Sequence, residues 1–432
     1  MLEIINKVVW FIAILFLLGG AIFYSINLKF PQLKAFSIFK KFINSNTKGM
    51  SAFEGLSVSL AARVGVGSLS GIALAIYFGG PGTIFWIWVI GLITAINIFC
   101  ETYLGVKYNE KNIYKDEYQG GPAFYIDKSL KNKKLSKIYA IFVIIAYIGG
   151  FVTIQSNTIA ISVSNVLNFD ILVVAIILVI ISAFSIIKGI KTISKITSKL
   201  IPFLGLAYII LSLFIIIVNF KSIPIIFYQI FTGAWSFKSM GLGFFSVFVI
   251  GMQRAIFCTE AGLGTGSIAT SSSKPDNKVD FSLGQILGIY FTVFIVCTST
   301  ALIILTSDYI SSGVIVSNGI ELTQYALEYH LGSFGKIVLM ILVIFLAYST
   351  IIAGYYYGES NLKYLTKNSK TWHIIILKII TLILLLVGSI INSGYLWDIV
   401  DLFIAVLSII NMYALIKNRK EIISDYKNSI RK

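Results

Sequence analysis

AARVGVGSLSG, residues 61–71, interrupts an apolar segment that is otherwise long enough to cross a bilayer. Three glycines fall in its last seven residues, and each costs a helix interior about 1 kcal/mol relative to alanine. FCTEAGLGTG, residues 257–266, repeats the arrangement far down the chain. Backbone opened inside lipid must be paired, buried in protein or turned to water, so helices broken at mid-membrane surround a cavity. The two breaks are therefore the first candidates for a binding site. The same glycines can also be read as close helix packing of the small-xxx-small kind, which Gly67 and Gly71 satisfy by spacing.

The surrounding composition sets the class. Of 432 residues, 57% are hydrophobic and 12% charged, and the mean hydropathy is +0.88, which describes a polytopic protein of the lipid bilayer. A net charge of +16 would suggest nucleic acid in a soluble protein; here its meaning lies in where Lys and Arg fall relative to the spans, and no nucleic-acid partner is implied. Cys100, Cys258 and Cys297 lie in apolar segments without a CxxC pair, and His330 and His373 are far apart, so neither a disulfide framework nor a metal cluster is supported. Residues 8–23 are too long for a signal h-region and lack an A-x-A site; they read as a retained first span.

At roughly 20 apolar residues per crossing, the sequence predicts an all-α membrane protein of eleven spans. They are A 8–27, B 56–78, C 83–106, D 138–167, E 171–187, F 200–220, G 241–272, H 281–306, I 335–357, J 372–391 and K 396–416. Alternate connections and the C-terminal tail hold 28 Lys and Arg, and the opposite connections hold 4. Basic residues collect on the cytoplasmic side. The bias puts the N-terminus outside and the C-terminus on the cytoplasmic side, and the inner (plasma) membrane is the expected location. The connection 307–333 reads as an external loop with a short helix ending at Gly332, and 107–137 as an ordered internal surface loop.

Setting span A aside (residues 1–30) leaves two groups of five spans, 56–220 and 241–416, within one transmembrane domain covering 1–432. Each group opens with a broken span. An odd number of crossings makes the two repeats inverted in the membrane, the arrangement described for secondary transporters with a midplane site.

Freed carbonyls at the first break can bind a cation, and the N–H groups of the resumed half-helix suit a carboxylate. Gln155, Ser156 and Asn157 point in different directions around span D, which must be surrounded by protein; the run serves either a ligand or helix association. Ser349 and Thr350 either bond their own helix or, with span B carbonyls, complete an oxygen shell for a monovalent cation. Arg63, Arg254, Glu101 and Glu260 are expensive in hydrocarbon. Arg63 and Glu260, beside the two breaks, are predicted to form a structural or gating pair, with proton coupling by Glu260 as the alternative. Asp398 and Asp401 are read as solvated or as caps.

With these residues in view, the chain resembles the alanine or glycine:cation symporter family, of the amino acid-polyamine-organocation superfold. The resemblance runs from span A to NMYALIKN and is carried by SLAARVGVGSLSGIALAI, GGPGTIFWIW, CETYLGVKY, GGPAFYI, QSNTIA, FCTEAGLGTGS, GYYYGE and LWDIVDLF. It implies eleven helices, ten of them in the inverted repeat, and alternating access driven by sodium, occasionally by protons. It also implies a substrate site at Gly65, Val66, Gly67, Ser68, Phe257, Thr259 and Gly262, approached by Gln155 and closed by Tyr355. Sodium would sit among Ala61, Val64, Ser349 and Thr350. Three departures fall on that site. The family's G-T-G-N is Gly65-Val66-Gly67-Ser68 here, its N-E-A-G is Thr259-Glu260-Ala261-Gly262, and its G-W is Gly354-Tyr355, which enlarges or rehydrates the pocket.

The resulting expectation is a sodium-coupled importer of a small neutral amino acid, with sodium as coupling ion and no organic cofactor. The alternatives are a proton-coupled or diverged-substrate transporter, or a sensor or channel on the same scaffold. No HExxH, GxSxG or paired-aspartate arrangement lies in the spans, so no enzyme is expected.

Overall fold

A computed structural model describes residues 2–43, 47–49, 51–112, 117–188, 190–235, 243–316, 318–367 and 371–431. The start of expected span G, residues 241–242, lies outside the described residues, as do Lys115, Asp116, Lys238, Lys370 and Lys432. The long helix α1 (Leu2–Asn27) is followed by the short α2 (Ala35–Ile43). α3 (Ala52–Arg63) starts at a capping box in which Ser51 and Glu54 satisfy each other's backbone N–H. After the break comes a π-helical turn, Gly67–Gly71, and then α4 (Ile72–Gly79). The two halves of this span are bent by 49°.

α5 (Gly82–Lys107) leads to α6 (Pro122–Leu130), which begins at a proline whose missing N–H is no loss in a first turn. α7 (Lys133–Ile144), a π-helical stretch at Ile145–Phe151 and α8 (Val152–Leu167) form one run. α9 (Ile171–Lys188), α10 (Ile190–Val218) and α11 (Ile223–Gly233) follow. The second broken element is α12 (Phe244–Thr259) and α13 (Gly266–Thr270). α14 (Lys278–Tyr290) and α15 (Thr298–Leu305) are joined by a third π-helical stretch, Phe291–Cys297. α16 (Gly319–Thr366) is interrupted at Gly332, where φ is +62°, as the sequence predicts for the end of the loop helix. α17 (Thr371–Ile390), α18 (Ser393–Lys417) and α19 (Arg419–Arg431) complete the chain.

Among the described residues, seven helical runs are long and apolar enough to cross a membrane, or up to nine if each of two bent pairs is one span. Expected spans E and G appear as the shorter apolar helices Ile171–Ile186 and Phe245–Thr259. One bent pair was not foreseen. Phe203–Val218 and Phe220–Gly233 meet at 77°, so α11 is a helix where the sequence suggested a loop. Pro224 hides it, because proline breaks an apolar pattern but is at home in a helix's first turn. Trp86 donates to Ala234 O at 3.2 Å and Trp88 stacks on Phe227 at 5.9 Å, which fixes α11 against α5.

Isoleucines and phenylalanines of α9, α10 and α17 point outward, among them Ile180, Phe184, Phe214, Ile375 and Ile383, each about half exposed or more. These are faces for lipid. α1 runs parallel to α18, held by Asn6 to Asp398 O at 2.9 Å and by Tyr24 to Leu415 O at 2.6 Å.

Two strands, β1 (Thr47–Gly49) and β2 (Glu110–Asn112), precede β3 (Glu117–Gln119) and β4 (Ser273–Pro275). β2 and β3 form a hairpin, while β1 pairs antiparallel with β4, Lys48 opposite Lys274. That second pairing joins the segment leading into α3 to the segment leaving α13. α19 docks on the same end of the molecule. Ile422 and Tyr426 are buried, Tyr426 packs edge-on against Phe99 at 5.6 Å, Lys107 pairs with Asp425 at 2.6 Å, and Tyr108 donates to Glu421 at 2.8 Å.

Candidate functional site

At the first break the chain has left the helix at Val64 (φ −86°, ψ 75°), and its polar backbone finds partners on neighbouring helices. The Val66 N–H donates to Gln155 Oε1 at 3.1 Å. Ala61 O accepts from Thr350 Oγ1 at 2.7 Å and from Ser349 Oγ at 3.4 Å. Ser68 Oγ donates to Gly65 O at 3.1 Å, and Ser68 O accepts from Thr300 at 2.8 Å. A Cβ on Gly65 would lie 3.0 Å from Gln155 Oε1 and nearer still to Thr350 Oγ1, so only glycine lets these three helices meet.

The second break begins where Glu260 turns left-handed (φ +54°) and continues through Gly262 (φ +94°) and Gly264 (φ +90°). Those two φ values favour glycine over any L side chain. Glu101 Oε2 accepts from Gly262 N at 3.1 Å, Gly264 N at 2.9 Å and Asn411 at 3.2 Å. One carboxylate oxygen thus gathers the opened amides. Glu260 accepts from the Tyr147 hydroxyl at 2.7 Å and from Thr265 at 3.2 Å. Thr259 donates to Ala255 O at 2.8 Å and accepts from Ala261 N at 3.3 Å.

An aromatic column joins the breaks. Tyr147 stacks on Phe151 at 4.4 Å, Phe151 on Phe257 at 4.9 Å, and Phe257 leans on Trp397 at 4.8 Å. Arg254 lies over the Trp397 ring at 4.3 Å and pairs with Asp401, both side chains nearly buried. A Cβ on Gly67 would stand 2.5 Å from Phe257 Cδ1, so the phenylalanine ring rests on bare backbone. On the α4 side of the column, Asn318 forms a polar clasp. It accepts from Ser70 at 2.9 Å and donates to Asn157 at 3.0 Å. Asn157 in turn donates to Gly388 O and Ile391 O.

The structure brings Gly65, Val66, Gly67, Ser68, Gln155 and Phe257 together at one place, and Ala61, Ser349 and Thr350 at its edge. Thr259 and Gly262 lie in the second break. Tyr355 is not among them. Thr350, Gly354 and Tyr357 share one face of α16 at helical spacing, whereas Tyr355 turns away into a separate apolar cluster with Ile148, Ile186 and Leu377. Tyr357 instead faces the column, edge-on to Tyr147 at 5.0 Å.

Arg63 and Glu260, expected as a structural or gating pair, share no hydrogen bond among the described residues. The three guanidinium nitrogens of Arg63 are buried without a hydrogen-bond partner among the described residues. A Cβ on Gly266 would lie 2.7 Å from Arg63 Nη2 and 3.3 Å from Glu101 Oε1, so arginine and Glu101 flank Gly266 with opposite charges. Asp401 is neither solvated nor a cap, because Arg254 claims it. Tyr147, Phe151, Thr300 and Asn318 were missed in the sequence. The one signal for Asn318 was the N-cap pattern N-x-x-E at Asn318–Glu321, which the structure shows as a capping box.

The sequence pattern of the sodium:alanine symporter family matches residues 1–432. The chain belongs to the sodium:alanine symporter family. It is similar to the amino-acid carrier protein AlsT of Bacillus subtilis, 32% identical over 96% of this chain and 88% of that one. It is also similar to the sodium/alanine symporter AgcS of Methanococcus maripaludis, 30% identical over 99% of this chain and 97% of that one. Among solved structures, a manganese transporter of Eremococcus coleocola shares the fold, with a TM-score of 0.54 and 13% identity over 83% of this chain and 76% of that one. This member of the sodium:alanine symporter family is thus a multi-pass membrane transporter of amino acids and not an enzyme.

Proposed function

We propose that the protein is a symporter that imports a small neutral amino acid, of the alanine or glycine type, with sodium, by alternating access. The observation that carries this reading is the meeting of the opened backbone of the first break with Gln155 and with Phe257, from the last turn before the second break, with the Ala61 carbonyl and two hydroxyls beside them. In this reading eleven crossings, ten in two inverted five-span groups, surround the site, the N-terminus is outside and the C-terminus is cytoplasmic. The lysine-bearing ends of α5, β4 and α19 lie at one end of the molecule, which supports that orientation.

Sodium is held by Ala61 O, Val64 O and the oxygens of Ser349 and Thr350, whose hydroxyl protons turn away from Ala61 O as the ion takes their place. Neutral oxygens alone suit a monovalent cation. The substrate carboxylate meets the N–H groups of Gly65 to Ser68, where the resumed helix presents its positive end, and Gln155 yields its bond with Val66. The ammonium group meets the carbonyls at the end of α12, near Phe257 and Thr259, where the helix dipole is negative. Phe257 lying on Gly67 leaves room for a small side chain only. Ion binding stabilises the opened segment of the first break and raises the population competent to take substrate.

The Asn318 clasp and the Arg254–Asp401 pair act as the outer closure. Arg63, between Glu101 and Glu260, acts as the inner one, its partner exchanged as the gate moves. Uptake of alanine or glycine into proteoliposomes under an imposed sodium gradient tests the reading. Accumulation that follows the sodium gradient supports it. Accumulation driven by a proton gradient alone would move the coupling role to Glu260, and unsaturable flux would indicate a channel.

A further inference from the structure

We infer that the cavity between α6, α7 and the end of α16 binds the headgroup of an anionic phospholipid. The cavity, about 570 Å3, is lined by Lys111, Lys133, Lys137, Lys363 and Lys367, with Glu110 and Asp127. Both carboxylates are already engaged, Glu110 by Lys128 at 2.9 Å and Asp127 by the Tyr364 hydroxyl at 2.9 Å. Lys363 is paired with Glu359. The side chains of Lys133, Lys137 and Lys367 have neither a hydrogen bond nor an ion pair among the described residues. Three ammonium groups without an ion pair therefore converge on one concave space against the single carboxylate of Asp127, held by a neutral hydroxyl, and an oxyanion with several acceptor oxygens is the natural complement of the remaining positive charge.

The position of the cavity selects a lipid over a soluble anion. α7 enters the apolar region directly from Lys133, and Lys137, Ile141 and Ile145 follow one another along a single stripe at four-residue spacing. Ile141 and Ile145 are 47% and 44% exposed. An acyl chain can therefore leave the lysine cluster and run along α7 without crossing a polar surface. Basic pockets between helices at a membrane boundary are suited to such headgroups. Nothing in the transport reading requires these lysines, which lie away from both helix breaks.

The test uses the full-length protein in neutral detergent. Bound phosphatidylglycerol and phosphatidylcholine are counted by native mass spectrometry, and thermal unfolding is followed as each lipid, or inorganic phosphate, is titrated in. Preferential retention of phosphatidylglycerol is expected. The combined Lys133→Gln, Lys137→Gln and Lys367→Gln variant should weaken it by about tenfold or more, with an unchanged lipid-free unfolding temperature, and the corresponding arginine variant should keep it. Equal phosphatidylglycerol binding by the glutamine variant would overturn the site. Protection of the parent by phosphate as strong as by phosphatidylglycerol would overturn the lipid assignment in favour of a soluble anion.

Discussion

The Val66 N–H donates to the side-chain oxygen of Gln155 at 3.1 Å, so the opened strand of the first break is held by the middle of a helix that is itself unbroken there. Removing that acceptor leaves a buried amide unpaired, at a cost of about 1–3 kcal/mol. Gln155→Ala should lower the unfolding temperature modestly and abolish the rise produced by alanine or glycine. Gln155→Met, which keeps the volume but not the acceptor, should lose the same bond and the same substrate response with less damage to packing. Unchanged substrate affinity in the alanine variant would remove Gln155 from the site.

Thr350 and Ser349 both reach Ala61 O. Thr350→Val combined with Ser349→Ala preserves volume closely while deleting both oxygens. The sodium concentration giving half-maximal uptake should rise at least about tenfold, the equivalent of roughly 1.4 kcal/mol, whereas Thr350→Ser should behave nearly as the parent. Isothermal titration with sodium in the absence of substrate reads the effect directly.

Gly67 is where the ring of Phe257 rests. Gly67→Ala places a methyl 2.5 Å from that ring, closer than real contacts allow. Substrate binding should fall below detection although the helices still assemble, and Phe257→Leu in the same chain should restore part of it. A thermal-shift comparison of the single and double variants decides the matter.

Arg254 and Asp401 form a pair whose side chains are 7% and 8% exposed. Leaving one partner alone in such a place costs about 3–5 kcal/mol. Asp401→Leu should therefore unfold at a much lower temperature, and Asp401→Leu with Arg254→Met should recover most of the loss. In transport assays the double variant, with a weakened outer closure, should show a higher rate of sodium leak.

α19 is expected to undock in acid. Burial pushes the Asp425 carboxyl up, but hydrogen bonds from Lys107 and Tyr103 and the Lys107 charge outweigh it and hold the group below the usual carboxylate range. A carboxylate lowered in the folded state stabilises docking above its unfolded value, near about pH 4, and the contribution disappears as pH falls through the lowered value. Protection of the amides across 419–431, taken relative to their intrinsic exchange rate at each pH, should be high at neutral pH and fall below about pH 4. Asp425→Asn should show lower protection at neutral pH and a weaker dependence on pH.

Glycine clusters at 65–71 and 262–266 mark both breaks, at Gly262 and Gly264 because a positive φ demands glycine and at Gly65 and Gly67 because neighbouring side chains leave no room for a Cβ. Thr350, Ser349 and Gln155 were legible for a related reason, as polar groups in apolar runs need partners. Tyr355 misled because three consecutive tyrosines differ only in which side of α16 they face, and that depends on the rotation of the helix against its neighbours. Arg254 and Asp401 are far apart in the chain, and nothing local announces that they meet. The same holds for Asn318 and Asn157. For α11 the obstacle was Pro224, whose local meaning reverses between the inside and the start of a helix.

The pairing of Lys48 with Lys274 across β1 and β4 has a mechanical meaning. The stubs of the two broken elements nearest this pairing end in a common two-stranded seam, which resists sliding because each register shift would sacrifice several backbone hydrogen bonds at once. Neither stub can swing alone without tearing that seam. In the proposed transport cycle the two would move together, as a hinged plate in place of two independent levers.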